Sequence, residues 1–185
     1  MNFLRPLVFV ALCFYTGMAM LAPAAEGAAS DAIPGFQAQQ IKAAFLLHLF
    51  QFMGWPESKD PAIELCFLDE GDVSLAASEI LQNRSSGVHI RQLSEEDSLS
   101  PCHVLYVGDD AAEVSSSRLL AATAESVLIV SDQLGFAQGG GMVELERRPS
   151  RIGLVINLPV LEAAGLKPSS KLLRLARVLG SNAGL

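Results

Sequence analysis

The sequence predicts an α/β fold: a three-layer sandwich with a mainly parallel sheet, helices on both faces and a C-terminal antiparallel hairpin. Two observations predict it. First, beyond Pro61 short runs rich in β-branched and other apolar residues alternate with helix-forming stretches, which is the pattern of βαβ units. Second, these runs are apolar almost throughout, as strands covered on both faces are.

The first predicted element of the domain is a helix over residues 36–55. It contains helix-forming residues, and Gly54, Trp55 and Pro56 end it. Its polar residues lie almost wholly in its first half, and the second half is apolar nearly all round. Such a helix must be covered on most sides, either by the fold or by another chain. A homodimer is therefore one candidate assembly.

The alternating elements follow in order. Predicted strands span residues 62–68, 88–93, 103–107 and 127–130, and predicted helices span residues 73–81 and 111–122. Residues 142–146 and 152–157 break the alternation, because the short connection between them is typical of a hairpin. The sheet is therefore expected to end in antiparallel strands.

Two predicted helices close the chain, at residues 159–164 and 171–179. Ser169 or Ser170 caps the start of the second, and Gly180 ends it. Its apolar stripe is predicted to face inward and consists of Leu172, Leu175, Ala176 and Leu179. Lys171, Arg174 and Arg177 then lie on the opposite side of that helix.

The N-terminus predicts export. Arg5 precedes an apolar run over residues 7–21, and the small-residue pattern that ends at Ala24 is typical of signal-peptide cleavage. We therefore predict a signal peptide over residues 1–24, a flexible lead over residues 25–35 and a single domain over residues 36–185. An uncleaved membrane anchor is the alternative.

The charge distribution excludes one class of partner and suggests another. The chain carries a net charge of −7, which makes nucleic acid a poor partner. Lys171, Arg174 and Arg177 nevertheless lie in a C-terminal region that has no acidic residue from position 163 onward. These three residues are candidates for binding an anionic ligand or an acidic protein surface, and a solvated helix face is the alternative.

No catalytic, metal or cofactor site is predicted. The sequence has no Gly-x-Ser-x-Gly elbow, and its three histidines have no neighbours at metal-ligand spacing. The glycine-rich run at residues 139–141 leads into a strand and not into a helix, so a tight turn or bulge explains it better than a phosphate site. We therefore expect a protein that is not an enzyme.

Two cysteines remain after removal of the signal peptide, Cys66 and Cys102. In an exported protein a disulfide between them is the default expectation. In the chain-entropy account it would stabilise the fold by roughly 3 to 4 kcal/mol. The alternative is two separate buried thiols.

Three aspartates, Asp69, Asp109 and Asp132, follow predicted strands. Open α/β sheets bind their ligands at the carboxyl ends of their strands. These side chains are therefore candidates for a ligand-binding edge, and a small-ligand sensor is one functional hypothesis. A hydrolase that uses the same acids is the least favoured one.

Several motifs, in their order and spacing, resemble the YfiR-like family of periplasmic proteins. They are Phe52-Met53-Gly54-Trp55-Pro56, Leu65-Cys66, the run from Cys102 to Val107, Val130-Ser131-Asp132, Gly135-Phe136, the run from Gly139 to Met142, Ile156-Asn157-Leu158, Ala164-Gly165-Leu166 and the run from Ser169 to Ala176. The resemblance covers residues 36–179.

The resemblance implies an exported, non-enzymatic protein that represses an inner-membrane diguanylate cyclase by binding its periplasmic sensor region. Release of that repression raises cyclic di-GMP and promotes biofilm formation. Cys66 and Cys102 match the disulfide positions of the family. Some members have a second cysteine pair near residues 142–151, which this chain lacks, so a switch built on that second bond is not expected here.

Candidate contacts for such a partner are Trp55, the spare apolar face of the first helix, and the basic face formed by Lys171, Arg174 and Arg177. Aromatic and arginine side chains anchor many interfaces. For Trp55 the alternative is a core residue that covers the end of the first helix. A periplasmic small-ligand sensor without a cyclase partner remains the alternative function.

Overall fold

The computed structural model describes residues 34–56, 63–68, 71–82, 87–109 and 114–180. The predicted signal peptide at residues 1–24 and nearly all of the predicted lead at residues 25–35 lie outside this range. The helices are α1 Gly35–Phe52, α2 Asp72–Gln82, α3 Ser116–Ala124, α4 Leu158–Ala163 and α5 Ser170–Leu175. The strands are β1 Met53–Gly54, β2 Ile63–Phe67, β3 Val88–Gln92, β4 Val104–Val107, β5 Leu128–Ser131, β6 Val143–Arg148, β7 Arg151–Asn157, β8 Lys167–Pro168 and β9 Ala176–Leu179.

Seven of these strands form one sheet in the order β3-β2-β4-β5-β6-β7-β9. The first five are parallel, β6 and β7 form the antiparallel hairpin, and β9 runs parallel to β7. The predicted fold class is confirmed. After β2 the chain passes to β3 on one side and returns to β4 on the other, so the strand order reverses between β2 and β4.

The apolar strand sequences occupy the centre of the sheet. Every residue of β4 and of β5 is buried, and so are Leu65, Cys66 and Phe67 of β2. Such strands form where helices cover both faces of a parallel sheet, because their side chains must leave water in both directions. The predicted alternation of strands and helices thus places the core where the sequence is most apolar.

Helix α1 has two stripes of side chains with different surroundings. One faces the interior and is buried: Ala38, Lys42, Leu46, Leu49 and Phe50. The other stays at least partly accessible: Ile41, Phe45, His48 and Phe52. The sequence predicts a helix covered on most sides, but the described residues cover only the first stripe completely.

The predicted end of α1 is nearly correct, and the two-residue strand after it is new. The helix begins at Gly35 and ends at Phe52, where the chain becomes extended at Met53. Strand β1 then pairs antiparallel with β8. Through this pairing, backbone hydrogen bonds connect the end of α1 to the segment that precedes α5.

The predicted final helix at residues 171–179 is wrong in its second half. Helix α5 ends at Leu175, and residues 176–179 form β9, whose register pairs Leu154 with Ala176. Without β9, β7 would be a sheet edge with unpaired backbone groups, and pairing satisfies them. Leu175, predicted to face inward, is 71% exposed, whereas Leu172 is buried.

Candidate functional site

An open apolar groove runs between α1, β7 and α5. Its volume is 420 Å³. Its walls include Ile41, Phe45, His48, Phe52, Leu154 and Leu175. Apolar surface that is grouped in a concave site, and not scattered singly, is typical of an interaction site.

The accessible stripe of α1 forms one wall of this groove because of helix periodicity. Positions 41, 45, 48 and 52 recur every three or four residues and so lie on one face of the helix. Residues 41 and 52 are eleven positions apart, which corresponds to roughly 16 Å along the helix axis, or three turns. The groove is thus long enough to hold a short helical segment.

The opposite wall comes from α5. The Ser169 hydroxyl caps this helix by accepting a hydrogen bond from the Leu172 backbone nitrogen at 3.2 Å. Leu172, buried at 3% exposure, anchors the helix to the core, and Leu175 lies about one turn further on. The short length of α5 therefore leaves Leu175 at the lip of the groove.

Four arginines flank the groove. A neighbouring cavity of 400 Å³ shares Phe45, Leu154 and Leu175 with the groove. The charged residues that line this second cavity are Arg148, Arg151, Arg174 and Arg177. We call these four side chains the arginine rim.

Glu146 partly neutralises the arginine rim. Its carboxylate accepts hydrogen bonds from the Arg148 Nε at 2.6 Å and from an Arg177 guanidinium nitrogen at 3.3 Å. The Arg148 hydrogen bond, together with the positive charges of Arg148 and Arg177, lowers the pKa of Glu146. Among the residues described here, Arg151 and Arg174 form no ion pair. Four guanidiniums against one carboxylate leave three positive charges in excess.

The structure brings together three of the four predicted partner contacts. Arg174 and Arg177 belong to the arginine rim, although Arg177 lies on β9 and not on a helix. The Lys171 Nζ lies 5.2 Å from the centroid of the Phe52 ring, which is a wall of the groove. These side chains therefore surround the apolar groove.

Trp55 lies apart from the groove and packs against the core. Its ring stacks on Phe50, with 5.8 Å between centroids, and meets His103 edge-on at 5.6 Å. His103 is buried directly before β4, at the amino end of that strand. Trp55 is half-buried against the core, and its role as a partner contact stays a prediction.

The predicted ligand edge corresponds to a small polar pocket. The pocket has a volume of 160 Å³ and lies at the carboxyl ends of β2, β4 and β5. Asp109 and Asp132 both line it, as do Gln39 from α1 and Asp72 from α2. Asp69, the third predicted edge residue, lies outside the described part of the chain.

Asp132 forms a buried ion pair with Lys42 of α1. The two side chains are only 2% and 4% exposed, so this pair links the helix to the edge of the sheet inside the protein. The sequence analysis does not predict that Lys42 pairs with Asp132, because the two residues are 90 positions apart in the chain. One feature of the sequence indicates such a pair: Lys42 is a single lysine in a helix whose following turns are apolar, so a buried lysine there needs an acidic partner.

The Glu144 carboxylate binds the segment that leads into the glycine-rich run at residues 139–141. The Glu144 carboxylate is 1% exposed and accepts hydrogen bonds from the backbone nitrogens of Gly135 at 3.2 Å and Ala137 at 3.1 Å. Asn157 donates to the Ala137 carbonyl at 3.0 Å. Gly141 is required for packing, because an added Cβ would lie 2.2 Å from the Phe136 ring. These contacts agree with the predicted structural turn.

The structure contains the predicted disulfide between Cys66 and Cys102. Both residues are fully buried, and their Cα atoms are 5.9 Å apart. In the described ranges, no three His, Cys, Asp or Glu side chains are grouped so that they would hold a metal ion. No helix within those ranges has the length and apolar character needed to span a membrane.

The sequence profile of the YfiR/HmsC-like family matches residues 39–177. The chain belongs to this family. The match extends from the start of α1 to the first half of β9, and so includes the groove, the arginine rim and the polar pocket of this YfiR/HmsC-like protein. No curated protein matches the chain.

Proposed function

We propose that this YfiR/HmsC-like protein is an exported, non-enzymatic regulator that represses an inner-membrane diguanylate cyclase. It binds the periplasmic sensor region of the cyclase and so controls cyclic di-GMP and biofilm formation. The observation that carries the proposal is the apolar groove with its arginine rim. Membership of the family supports a regulatory and not a catalytic role.

The shape of the groove favours one mode of recognition. A wall of three helical turns with apolar residues at every third or fourth position suits an amphipathic helix of the partner, which would lay its apolar face into the groove. The binding free energy then comes from the burial of apolar side chains on both partners. The exposed Leu175 at the lip becomes one of the buried anchors.

The charges around the groove define the chemistry of the partner helix. The protein is acidic overall, with a net charge of −7, yet the arginine rim is locally positive. A partner helix with Asp or Glu beside its apolar anchors is attracted and oriented by that rim. Arg151 and Arg174 are the first candidates for ion pairs with such carboxylates.

Localisation belongs to the same proposal. The predicted signal peptide would deliver the protein to the periplasm, where the sensor region of the cyclase is accessible. The Cys66–Cys102 disulfide is consistent with an oxidising compartment.

The test compares two leucines of equal exposure. Leu175 in the groove and Leu120 on α3 are both 71% exposed. In cells that lack the native gene, the wild-type protein and Leu120→Asp should restore low cyclic di-GMP, and Leu175→Asp should not. Affinity capture from solubilised membranes should recover a protein with a diguanylate cyclase output domain from the first two and not from the third.

Three outcomes would overturn the proposal. The first is unchanged cyclic di-GMP after deletion of the gene, and the second is equal activity of Leu175→Asp and Leu120→Asp. The third is a stable homodimer in sedimentation that only Leu175→Asp dissociates, because a second copy would then occupy the groove. Circular dichroism of both variants verifies that each is folded.

A further inference from the structure

We propose that the apolar groove and the arginine rim form one site for a medium-chain fatty acid, which competes there with the partner helix. The alkyl chain lies in the groove, and the carboxylate binds the arginines. The competition rests on the proposed function, whereas the binding is a property of this protein alone. The inference uses three features: the direction of the groove, its apolar lining and the place of the positive charges.

The two ends of the groove differ. At one end, the Ser169 backbone nitrogen donates a hydrogen bond to the Phe52 carbonyl at 2.8 Å, so the start of α5 lies beside the end of α1. Further along α5, Leu175 lines both the groove and the second cavity, together with Phe45 and Leu154. The arginine rim therefore adjoins the groove at Phe45 and Leu175, away from Phe52.

The distance from this junction to Phe52 sets the length of the ligand. Residues 45 and 52 are seven positions apart on α1, which corresponds to roughly 10 Å along the helix axis. Carbon–carbon bonds of about 1.5 Å advance an extended chain by roughly 1.3 Å per atom. A fatty acid of about eight to ten carbons therefore covers this distance.

The lining of the groove suits an alkyl chain. Of the described residues that line it, only His48 has a polar side chain. An alkyl chain has no hydrogen-bonding group to desolvate, and each CH₂ that leaves water favours binding. A single trough between α1 and α5 holds one such chain, so the ligand is a free fatty acid and not a phospholipid, which has two.

The arginine rim provides the site for the carboxylate. Arg148 and Arg177 bind Glu146, whereas Arg151 and Arg174 form no ion pair within the described part of the chain. A guanidinium can bind a carboxylate through two parallel hydrogen bonds, which gives affinity and orientation together. Arg151 and Arg174 are therefore the first contacts of the fatty-acid carboxylate.

Gly153 allows the positive charge to lie close to the apolar floor. An added Cβ at this position would lie 3.2 Å from the Arg148 Nε and 3.3 Å from its Cζ, so the guanidinium lies against the glycine. Gly153 and the next residue, Leu154, both line the second cavity. A cation is thus placed beside the apolar groove before any ligand binds, which reduces the cost of ordering the site.

The fatty acid and the partner helix need the same surface. In the proposed function Leu175 becomes a buried anchor of the partner helix, and the alkyl chain covers this same side chain. Two ligands that exclude each other lower each other's apparent affinity by the same factor. A bound fatty acid therefore releases the cyclase from repression.

The binding test titrates the oxidised chain, labelled with ¹⁵N, with decanoate below its micelle concentration at neutral pH. We expect saturable chemical-shift changes at the backbone amides of Phe45, His48 and Leu175. In calorimetry the affinity should rise roughly fourfold for each CH₂ added from hexanoate to decanoate, as for a buried CH₂. Decyltrimethylammonium, which has the same chain and the opposite charge, should bind at least roughly fivefold more weakly than decanoate.

Two arginine variants test the head-group contact. Arg174→Gln removes one unpaired cation and should weaken decanoate binding roughly fivefold, while the binding of uncharged 1-decanol stays unchanged. Arg147→Gln is the matched control, because Arg147 is also an exposed arginine but lines neither cavity. Both side chains are exposed, so neither variant threatens the fold.

Three results would overturn the fatty-acid site. The first is that decyltrimethylammonium binds as tightly as decanoate, and the second is that Arg147→Gln loses as much affinity as Arg174→Gln. The third is that the protein sediments with phosphatidylglycerol vesicles but shows no saturable shift with decanoate, because the surface then binds a bilayer and not a single fatty acid.

The competition is tested in cells. Decanoate should raise cyclic di-GMP where the protein is present and leave it unchanged where the gene is deleted; an equal response in both strains would overturn the competition. The binding measurements need no cyclase, so the two proposals fail separately. If decanoate does not bind while Leu175→Asp abolishes repression, only the fatty-acid site is wrong. If decanoate binds while deletion of the gene leaves cyclic di-GMP unchanged, the proposed repression and the competition are wrong and the fatty-acid site stands.

Discussion

The groove and the polar pocket are both lined by side chains of α1, but the groove is apolar and the pocket is polar and charged. The groove is open and apolar, and its charges lie around it on the arginine rim. The pocket has less than half the volume of the groove and contains a buried ion pair. Helix α1 serves both because residues one position apart, such as Ile41 and Lys42, point about 100° apart around a helix.

The two regions should differ in how well they tolerate substitution. Groove side chains such as Leu175 are already in water, so their substitution alters little in the folded state. Pocket side chains such as Lys42 and Asp132 are buried with charge, so their substitution leaves an uncompensated ion inside the protein. We therefore expect groove variants to affect partner binding and pocket variants to affect stability.

The largest effect is expected from Lys42→Met. It leaves the Asp132 carboxylate buried without its cation and should lower the free energy of unfolding by about 3 to 5 kcal/mol. Leu175→Ala in the groove should change it by less than about 0.5 kcal/mol. Urea denaturation of both variants measures the contrast.

A double variant checks the cause of that loss. Lys42→Met combined with Asp132→Leu removes both charges and should recover most of the stability. If Lys42→Met alone unfolds at the same urea concentration as the wild type, the buried ion pair does not make the pocket more sensitive to substitution than the groove.

The second effect concerns the disulfide, which contributes a side chain to neither region. Reduction, or Cys66→Ala with Cys102→Ala, should lower the free energy of unfolding by about 3 to 4 kcal/mol, because the bond restricts the unfolded chain. Binding by the fraction that remains folded should not change. Thermal denaturation with and without reductant tests this, and an equal melting temperature in both would contradict it.

The smallest effect is the pH dependence of Glu146 beside the groove. The hydrogen bond from Arg148, with the charges of Arg148 and Arg177, holds its pKa below the ordinary value of 4.5. The ionised Glu146 carboxylate therefore adds to the free energy of unfolding above pH 4.5, and this contribution is lost as the pH falls through the lowered pKa. Its size should not exceed about 1 kcal/mol, because the pair is partly exposed.

Carboxyl ¹³C titration measures the Glu146 pKa directly. Glu146→Gln should remove this contribution to acid destabilisation and leave the contribution of Asp97, whose pKa is lowered by hydrogen bonds from Ser94. A Glu146 carboxyl that titrates at or above 4.5 would show that Arg148 and Arg177 do not stabilise its ionised form.

Local patterns predicted most of the fold. The central strands β4 and β5 are apolar runs, and the hairpin of β6 and β7 has a two-residue connection between its strands. Both features are encoded by neighbouring residues, so the sequence predicts them. The final helix was wrong beyond Leu175 because β9 depends on pairing with β7, about twenty residues earlier. Helix propensity contains no information about that pairing.

The site was predictable only in part, for the same reason. The basic residues Lys171, Arg174 and Arg177 and the edge residues Asp109 and Asp132 were found from charge and from position after strands. The residues that surround them could not be predicted in this way. Arg148 and Arg151 belong to the β6–β7 hairpin and reach the arginine rim only because the hairpin packs beside α5 and β9.

Periodicity and composition are local properties, so the α/β class, the cysteine pair and the residue types available for binding follow from the amino-acid sequence. The packing of the folded chain leaves one stripe of α1 open, exposes Leu175 to solvent and brings Lys42 to Asp132. Each of these depends on which distant segments pack together, and burial, charge pairing and exposure are properties of that packing.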